Sequence, residues 1–152
     1  MIKYRTYQRQ DGEEMARLFR ETVEIVNAAD YTKEQRQAWA GTKPDPVLWH
    51  EKFAKTDTIV AEDNGKILGF GNMDADGYLD MLYVHYAYQK MGIAREICAK
   101  LEAGCGAERF SVHASITAAP FFEKQGYQIQ KRQQVERKGV LLENYKMEKY
   151  KK

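Results

Sequence analysis

The sequence predicts an α/β protein built on one mixed, mostly antiparallel sheet. Three observations lead there. Short β-rich runs are separated by Asn64-Gly65, Asp76-Gly77 and Lys138-Gly139, dipeptides suited to tight turns. Other stretches repeat apolar residues every three to four positions, the period of a helix with one buried face. The two kinds of segment interleave in the order β-α-α-β-β-β-α-β-α-β-β, and helices that interrupt strands cover the faces of a mixed sheet.

Each element has its own signal. "IKYRTY" (2–7) alternates like a strand. In the next segment Met15, Leu18, Phe19, Thr22, Val23 and Val26 recur at helical spacing, with Asp11 as the expected N-cap. Thr32 precedes "KEQRQAWA" and caps a second helix, which Pro44 and Pro46 break. "VLWHEKFAK" is a third short helical piece. "DTIVAED" and "KILGFGNMD" form a hairpin through Asn64-Gly65, and "YLDMLYVH" follows Asp76-Gly77 as a strand. A long helix then aligns Ala94, Ile97, Cys98, Leu101 and Cys105 on one face. "RFSVHAS" is a strand, and "TAAPFFEKQG" is a short helix capped by Thr117, with Pro120 in its first turn and Gly126 at its end. "YQIQKRQQVER" and "VLLENYKMEKY" close the chain as a hairpin.

A chain of 152 residues, 43% hydrophobic and 30% charged, fits one domain, 1–152, with a real core. A net charge of +2 is too small to suggest a nucleic-acid partner, and the basic tail "YKMEKYKK" reads as solvated. No apolar run approaches the ~20 residues of a membrane span, and no apolar signal segment opens the chain, so no membrane partner is expected. Cys98 and Cys105 are placed two helical turns apart, ~10 Å, too far for a disulfide. Free thiols suit a reducing compartment, and a cytoplasmic location is expected.

The start of the long helix poses a chemical question. "QKMGIA" (89–94) has no Ser, Thr, Asp or Asn immediately before the helix to cap it. Unpaired amides and the helix dipole make such a start an anion site. Gly92 allows close approach of the backbone and Lys90 adds charge. By itself this pattern also fits a plain loop.

The surrounding residues decide between the two. "LYVHYAYQKMGIAREICAKLEAGC" resembles motif A of the GNAT superfamily of acetyl-CoA-dependent N-acyltransferases: a strand, then Gln/Arg-x-x-Gly-x-Gly/Ala, then a long helix. Gln89-x-x-Gly92-x-Ala94 fits that pattern. "ASITAAPFFEKQGY" resembles motif B, and the element order matches the GNAT fold over the whole chain. Two further stretches, "TVEIVNAADYTKEQRQAWA" and "RKGVLLENYKMEK", resemble small bacterial members of unassigned substrate.

The resemblance implies acetyl-CoA as cosubstrate, no metal, and a possible homodimer. It implies that backbone amides of Gln89, Lys90, Met91, Gly92, Ile93 and Ala94 hold the pyrophosphate, with Arg95 close by. It also implies a sheet splayed between its fourth and fifth strands, where pantetheine pairs with Leu82, Tyr83 and Val84. Ser115 stands where many relatives carry a pantetheine-contacting Asn; the competing role is a helix cap. Phe122 stands where relatives carry a tyrosine acid, so that acid is missing, and Tyr88 and Tyr127 are possible substitutes.

In the family an amine attacks the thioester directly. The ammonium must lose a proton, and the oxyanion needs a donor, for which the Val84 N–H is the expected group. For the base, Asp80 stands out as a charge within an apolar strand, where burial would raise its pKa. The alternative for Asp80 is a structural anchor tied to the first helix. His113 is a second candidate; His85 and His50 have no assignment. Asn27, Tyr31, Trp39 and Trp49 are expected around the acceptor, between the first two helices and the last hairpin. The acceptor itself stays open: a small amine, an amino acid, a drug-like amine, a peptide N-terminus or a protein lysine. A catalytically weak acyl-CoA sensor is the competing function.

Overall fold

A computed structural model describes residues 1–151. The elements are β1 (Lys3–Thr6), α1 (Gly12–Ile25), α2 (Lys33–Ala40), α3 (Pro46–Ala54), β2 (Asp57–Asp63), β3 (Lys66–Met73), β4 (Tyr78–Val84), α4 (Ile93–Ala103), β5 (Arg109–Ser115), α5 (Ala119–Lys124), β6 (Gln128–Arg137) and β7 (Val140–Tyr150). The strands form one sheet in the order β1-β2-β3-β4-β5-β7-β6. Every neighbouring pair is antiparallel except β4 and β5. The expected mixed, mostly antiparallel sheet is the one observed.

Helices cover both faces. On one, α1, α2 and α3 bury Met15, Phe19, Trp49 and Phe53 against Val60 and Phe70 of the sheet. On the other, α4 and α5 bury Ile97, Leu101 and Phe122 against Phe110 and Met147. The strand β3 runs between the two cores and is buried at every residue after Lys66.

Several local expectations change. The third short helical piece expected before β2 is present as the nine-residue α3, so three helices separate β1 from β2, one more than the expected order counts. Pro46 opens this helix rather than breaking α2, and the Asp45 side chain accepts the Val47 and Leu48 N–H groups as its cap. Proline lacks the N–H that the first helical turn leaves unpaired, so it suits that position. Thr32 caps α2 as expected, accepting the Gln35 N–H at 3.1 Å. Asp11 precedes α1 but does not cap it with its side chain. It is 4% exposed and accepts two bonds from Arg5, at 2.8 Å each, and the Gln8 N–H at 2.7 Å. Burial opposes its ionisation, but the Arg5 and Gln8 bonds outweigh it and hold the carboxyl below its usual range. Thr117 does not cap α5; its hydroxyl donates to Asp30 at 2.8 Å, and Ser115 accepts the Ala118 N–H instead. Cys105 lies beyond the end of α4, so the two free thiols do not share a helix; burial pushes the Cys98 thiol up to about 12.

One irregularity positions the site. Across the β3–β4 ladder Asn72 faces Met81, but Met73 faces Leu79, which leaves Asp80 as an extra residue on β4. Such a bulge bends its strand and reverses which face later side chains take. Below it Leu79 packs on the α4 side; above it Met81 and Tyr83 pack with the α1 side while Leu82 packs with α4. The bulge has a dedicated support. Asn72 is fully buried, accepts the Met81 N–H at 3.0 Å and donates to Thr56 Oγ1 at 3.0 Å.

Replacing Asn72 with alanine removes the acceptor for Met81 and opens a small void. A loss of about 2–4 kcal/mol is expected, combining an unsatisfied buried amide and a cavity. Urea denaturation checks this; unchanged stability would mean that the bulge holds without Asn72.

Candidate active site

The parallel β4–β5 pairing consists of two rungs, Tyr78 with Ser111 and Leu79 with Val112. It stops at the bulge. Beyond that point β5 stays in register with β7 as far as Ser115, while β4 continues along β3. The two central strands therefore part, and a cavity of about 670 Å³ fills the gap. It is lined by both strands, by the start of α4, by α5, and by the end of α1 with Trp39 of α2.

One end of the cleft is the uncapped start of α4. Gly92 occupies the N-cap position, and among the described residues no side chain caps it. Lys90 and Gly92 both have left-handed backbones, with φ of 61° and 84°. Left-handed residues at a loop entering a helix are the backbone setting of anion-binding nests, and the helix dipole favours negative charge there. A methyl group on Gly92 would meet the Arg95 guanidinium at 3.3 Å, so Arg95 lies over the same loop. The Gln89 side chain contributes differently from the loop backbone: its Nε2 donates to the Val84 carbonyl at 2.6 Å and pins the loop to the end of β4. Met91 is exposed at the rim, Ile93 anchors the helix in the core, and Ala94 lines the cleft.

The middle of the cleft runs along Leu82, Tyr83 and Val84. The His85 N–H donates to Leu68 on β3, so strand alternation turns the backbone of Val84 to the other, open side. Its carbonyl confirms this by accepting from Gln89 and from Thr22 Oγ1. Opposite stand Ser115, Ala118 and Phe122. The Ser115 oxygen caps the turn into α5, which leaves its hydroxyl proton to donate. Phe122 is 3% exposed, packed on Phe121 and Tyr127, and fronts the cavity. Tyr127 is no substitute acid. It is buried away from the cleft lining, its hydroxyl donates to Glu102, and burial drives its pKa well up. Tyr88 does line the cleft.

At the other end, Thr22, Val26, Asn27, Trp39, Met81 and Tyr83 frame a chamber. Asn27 is 6% exposed, and among the described residues its side-chain amide makes no hydrogen bond. Burial raises the Tyr83 pKa strongly, so its phenol stays protonated. Two expected members are absent from the lining. Tyr31 is a buried tie: its hydroxyl donates to the Glu143 carbonyl at 2.6 Å and accepts the Ile116 N–H at 2.9 Å. Trp49 lies in the α1–α3 core and donates to the Gly12 carbonyl at 2.9 Å.

Asp80 departs from its expected environment. Its side chain is 31% exposed and ion-paired to Lys52 of α3 at 3.1 Å, with the Asn72 amide at 3.5 Å. A mid-strand charge is tolerated because the bulge brings it beside a partner; Asp80 also lines the cleft. His113 follows the last β4–β5 rung, lines the cleft and meets the Tyr78 ring edge-on at 5.3 Å. Desolvation, then the Lys146 and Arg137 charges, lower its pKa. His85 bonds its own turn through Ala87, and His50 pairs with the Tyr7 hydroxyl at 2.8 Å. Sequence reading missed Thr22, Met81 and Asn72; a polar residue in the apolar run "KILGFGNM" was the one available signal for Asn72.

A family model described as the acetyltransferase (GNAT) domain matches residues 27–149. The chain belongs to the GNAT acetyltransferase family. An Escherichia coli (strain K12) protein described as uncharacterized N-acetyltransferase YafP is 35% identical over 146 residues, 96% of this chain and 94% of its own length. The crystal structure of a GCN5-related N-acetyltransferase from Rhodopseudomonas palustris is 32% identical, with a TM-score of 0.93 over 97% of this chain and 94% of that one. The fold is also shared at 17% identity with the PaiA N-acetyltransferase of Thermoplasma acidophilum, solved in complex with coenzyme A, at a TM-score of 0.82 over 99% of both chains. As a GNAT member the chain is an acetyl-CoA-dependent acyltransferase by family.

Two outcomes test this GNAT site. Gly92→Asp puts a side chain on a left-handed residue and a negative charge in the nest, and acetyl-CoA binding should weaken at least ~tenfold, or ~1.4 kcal/mol. Calorimetric titration of the folded variant reads it, and unchanged affinity would remove the anion cradle. Phe122→Tyr restores a phenol at the cleft wall and should leave kcat equal or modestly higher. A large fall in kcat with affinity retained would show that the ring's packing matters to the reaction.

Proposed function

We propose that the protein moves the acetyl group of acetyl-CoA to a primary amine by direct attack. The observation that carries this is the continuous cleft. It joins an anion-binding helix start to a polar, aromatic chamber through the gap between β4 and β5. The residues fit the cosubstrate: an uncapped nest with Lys90 and Arg95 for pyrophosphate, exposed β4 backbone at Leu82 to Val84 for pantetheine, and Ser115 and Phe122 along the opposite wall. Acetyl-CoA supplies an activated acetyl thioester. The Val84 N–H faces the gap, where it stabilises negative charge on the carbonyl oxygen. The leaving thiolate, with a pKa near ~8.5, departs without the acid that Phe122 cannot provide. Asn27 and Trp39 orient the amine from the α1–α2 side. The free thiols support a reducing, cytoplasmic setting.

His113 takes the amine's proton in this reading. It is the imidazole at the foot of the gap, and its lowered pKa keeps it neutral at pH 7. Asp80 is held by Lys52 and anchors the bulge. His113→Gln should cost ~10²–10⁴ in kcat/KM, and the acid limb it imposes below pH ~6.5 should vanish with it. Asp80→Asn should leave kcat near wild type and change stability by less than ~1 kcal/mol, as for a partly exposed pair. The reverse pattern would return the base to Asp80. The assay is thiol release from acetyl-CoA against a panel of amines. Tight coenzyme A binding with no amine-dependent release would instead support a sensor, the reading that Phe122 favours.

A further inference from the structure

Cations that form no ion pair among the described residues stand on the sheet face that His113 presents to the cleft. His113 on β5 stands across from Lys146 on β7, and Lys146 stands across from Lys131 on β6. Directly opposed residues project to one face of a sheet. His113 lines the cleft, so both lysines share its face. The tip of the β6–β7 hairpin bends over the same side. Gln35 Nε2 donates to the Leu141 carbonyl at 3.0 Å and Lys138 Nζ donates to Thr42 Oγ1 at 2.5 Å, which holds the tip against α2 and the turn after it. Arg137, at the base of that tip, stands across from Val140, which shares the face of Lys146 on β7, so Arg137 lies on the His113 side of the sheet.

Nearby carboxylates are committed elsewhere. Glu143 takes Arg132 at 2.7 Å, and Asp80 takes Lys52 at 3.1 Å. Asp74 accepts the N–H groups of Asp76 and Tyr78. Arg137 donates to a backbone carbonyl, that of Glu136, and among the described residues neither it, Lys131 nor Lys146 forms an ion pair. The cations suited to the cosubstrate's phosphates, Lys90 and Arg95, belong to the α4 loop at the opposite end.

A plain ammonium ion would be repelled by this arrangement. An amine that also bears a negative group would be drawn in, because guanidinium and ammonium groups donate strong hydrogen bonds to carboxylate or phosphate oxygens. The remaining positive field would lower the pKa of the bound ammonium and favour the neutral nucleophile. We propose that the acceptor is an amine carrying an anionic group, held by Arg137 and Lys146 while the amine points into the gap between β4 and β5. This rests on the acetyl-transfer reading above.

The test compares matched amino acids, their carboxamides and their aminophosphonate analogues. Thiol release from acetyl-CoA is followed with the wild type, Arg137→Glu and Lys146→Glu; both variants replace exposed side chains. In the wild type the acid or phosphonate should exceed the carboxamide in kcat/KM at least tenfold, and the better of the two names the anion. That ratio should fall at least tenfold in either variant. A second arm needs no turnover: the N-acetylated acid should bind the coenzyme A-loaded wild type more tightly than the N-acetylated carboxamide does, by calorimetry. If no amine drives thiol release but this preference holds and is lost in the variants, acetyl transfer fails and the anion site stands. Carboxamides that bind or react as well as the acids, a preference indifferent to both variants, or no binding by any of these compounds would overturn the inference.

Discussion

The hydrogen bond from the Met81 N–H to the buried Asn72 side chain underlies the whole site. A bulge strands a backbone donor, and a stranded donor in a protein interior is costly unless something accepts it. Asn72 accepts it, and Thr56 holds Asn72 in place. With the extra residue accommodated, β4 and β5 separate after two rungs. The same extra residue sets the side-chain parity of the upper strand, so that Tyr83 meets the acceptor chamber while Leu82 packs toward α4. One satisfied amide thus determines both the gap and what lines it.

The two ends of the cleft are made by different physics. At the α4 end the cleft is bounded by backbone, shaped by two left-handed residues and by a helix start that has no side-chain cap among the described residues. At the acceptor end the groups are side chains from α1, α2, β4 and β5. Tyr31 stitches that end together, joining the loop after α1 to the start of the α5 turn and to β7 through one hydroxyl. A phenol that both donates and accepts can tie two backbones at once, and so it is spent on architecture.

Reading the sequence located the elements and the uncapped helix start well, because their signals are local. Turn dipeptides, helical periodicity and the absence of a cap at Gly92 each involve residues a few positions apart. It erred where an assignment depended on partners far along the chain. Asp11 looked like a cap until Arg5 claimed it. Asp80 looked buried, but it is partly exposed and paired with Lys52, on a different element. Trp49 and Trp39 were equivalent as aromatic residues in a loop-rich stretch, and one of them faces the core while the other faces the cleft.

The sequence by itself determined the mixed α/β class, the strands and helices, the third helical piece included, and the helix start at Gly92 without a side-chain cap. These follow from backbone preferences and from periods of two and 3.6 residues, which act within a single segment. The tertiary structure alone decided the Asp80 bulge, the width of the β4–β5 gap, the spent roles of Tyr31 and Trp49, and the unpaired cations beside His113. Those depend on which side chains arrive at one place from opposite ends of the chain, and whether a polar group there finds a partner is settled only once the sheet has closed around it.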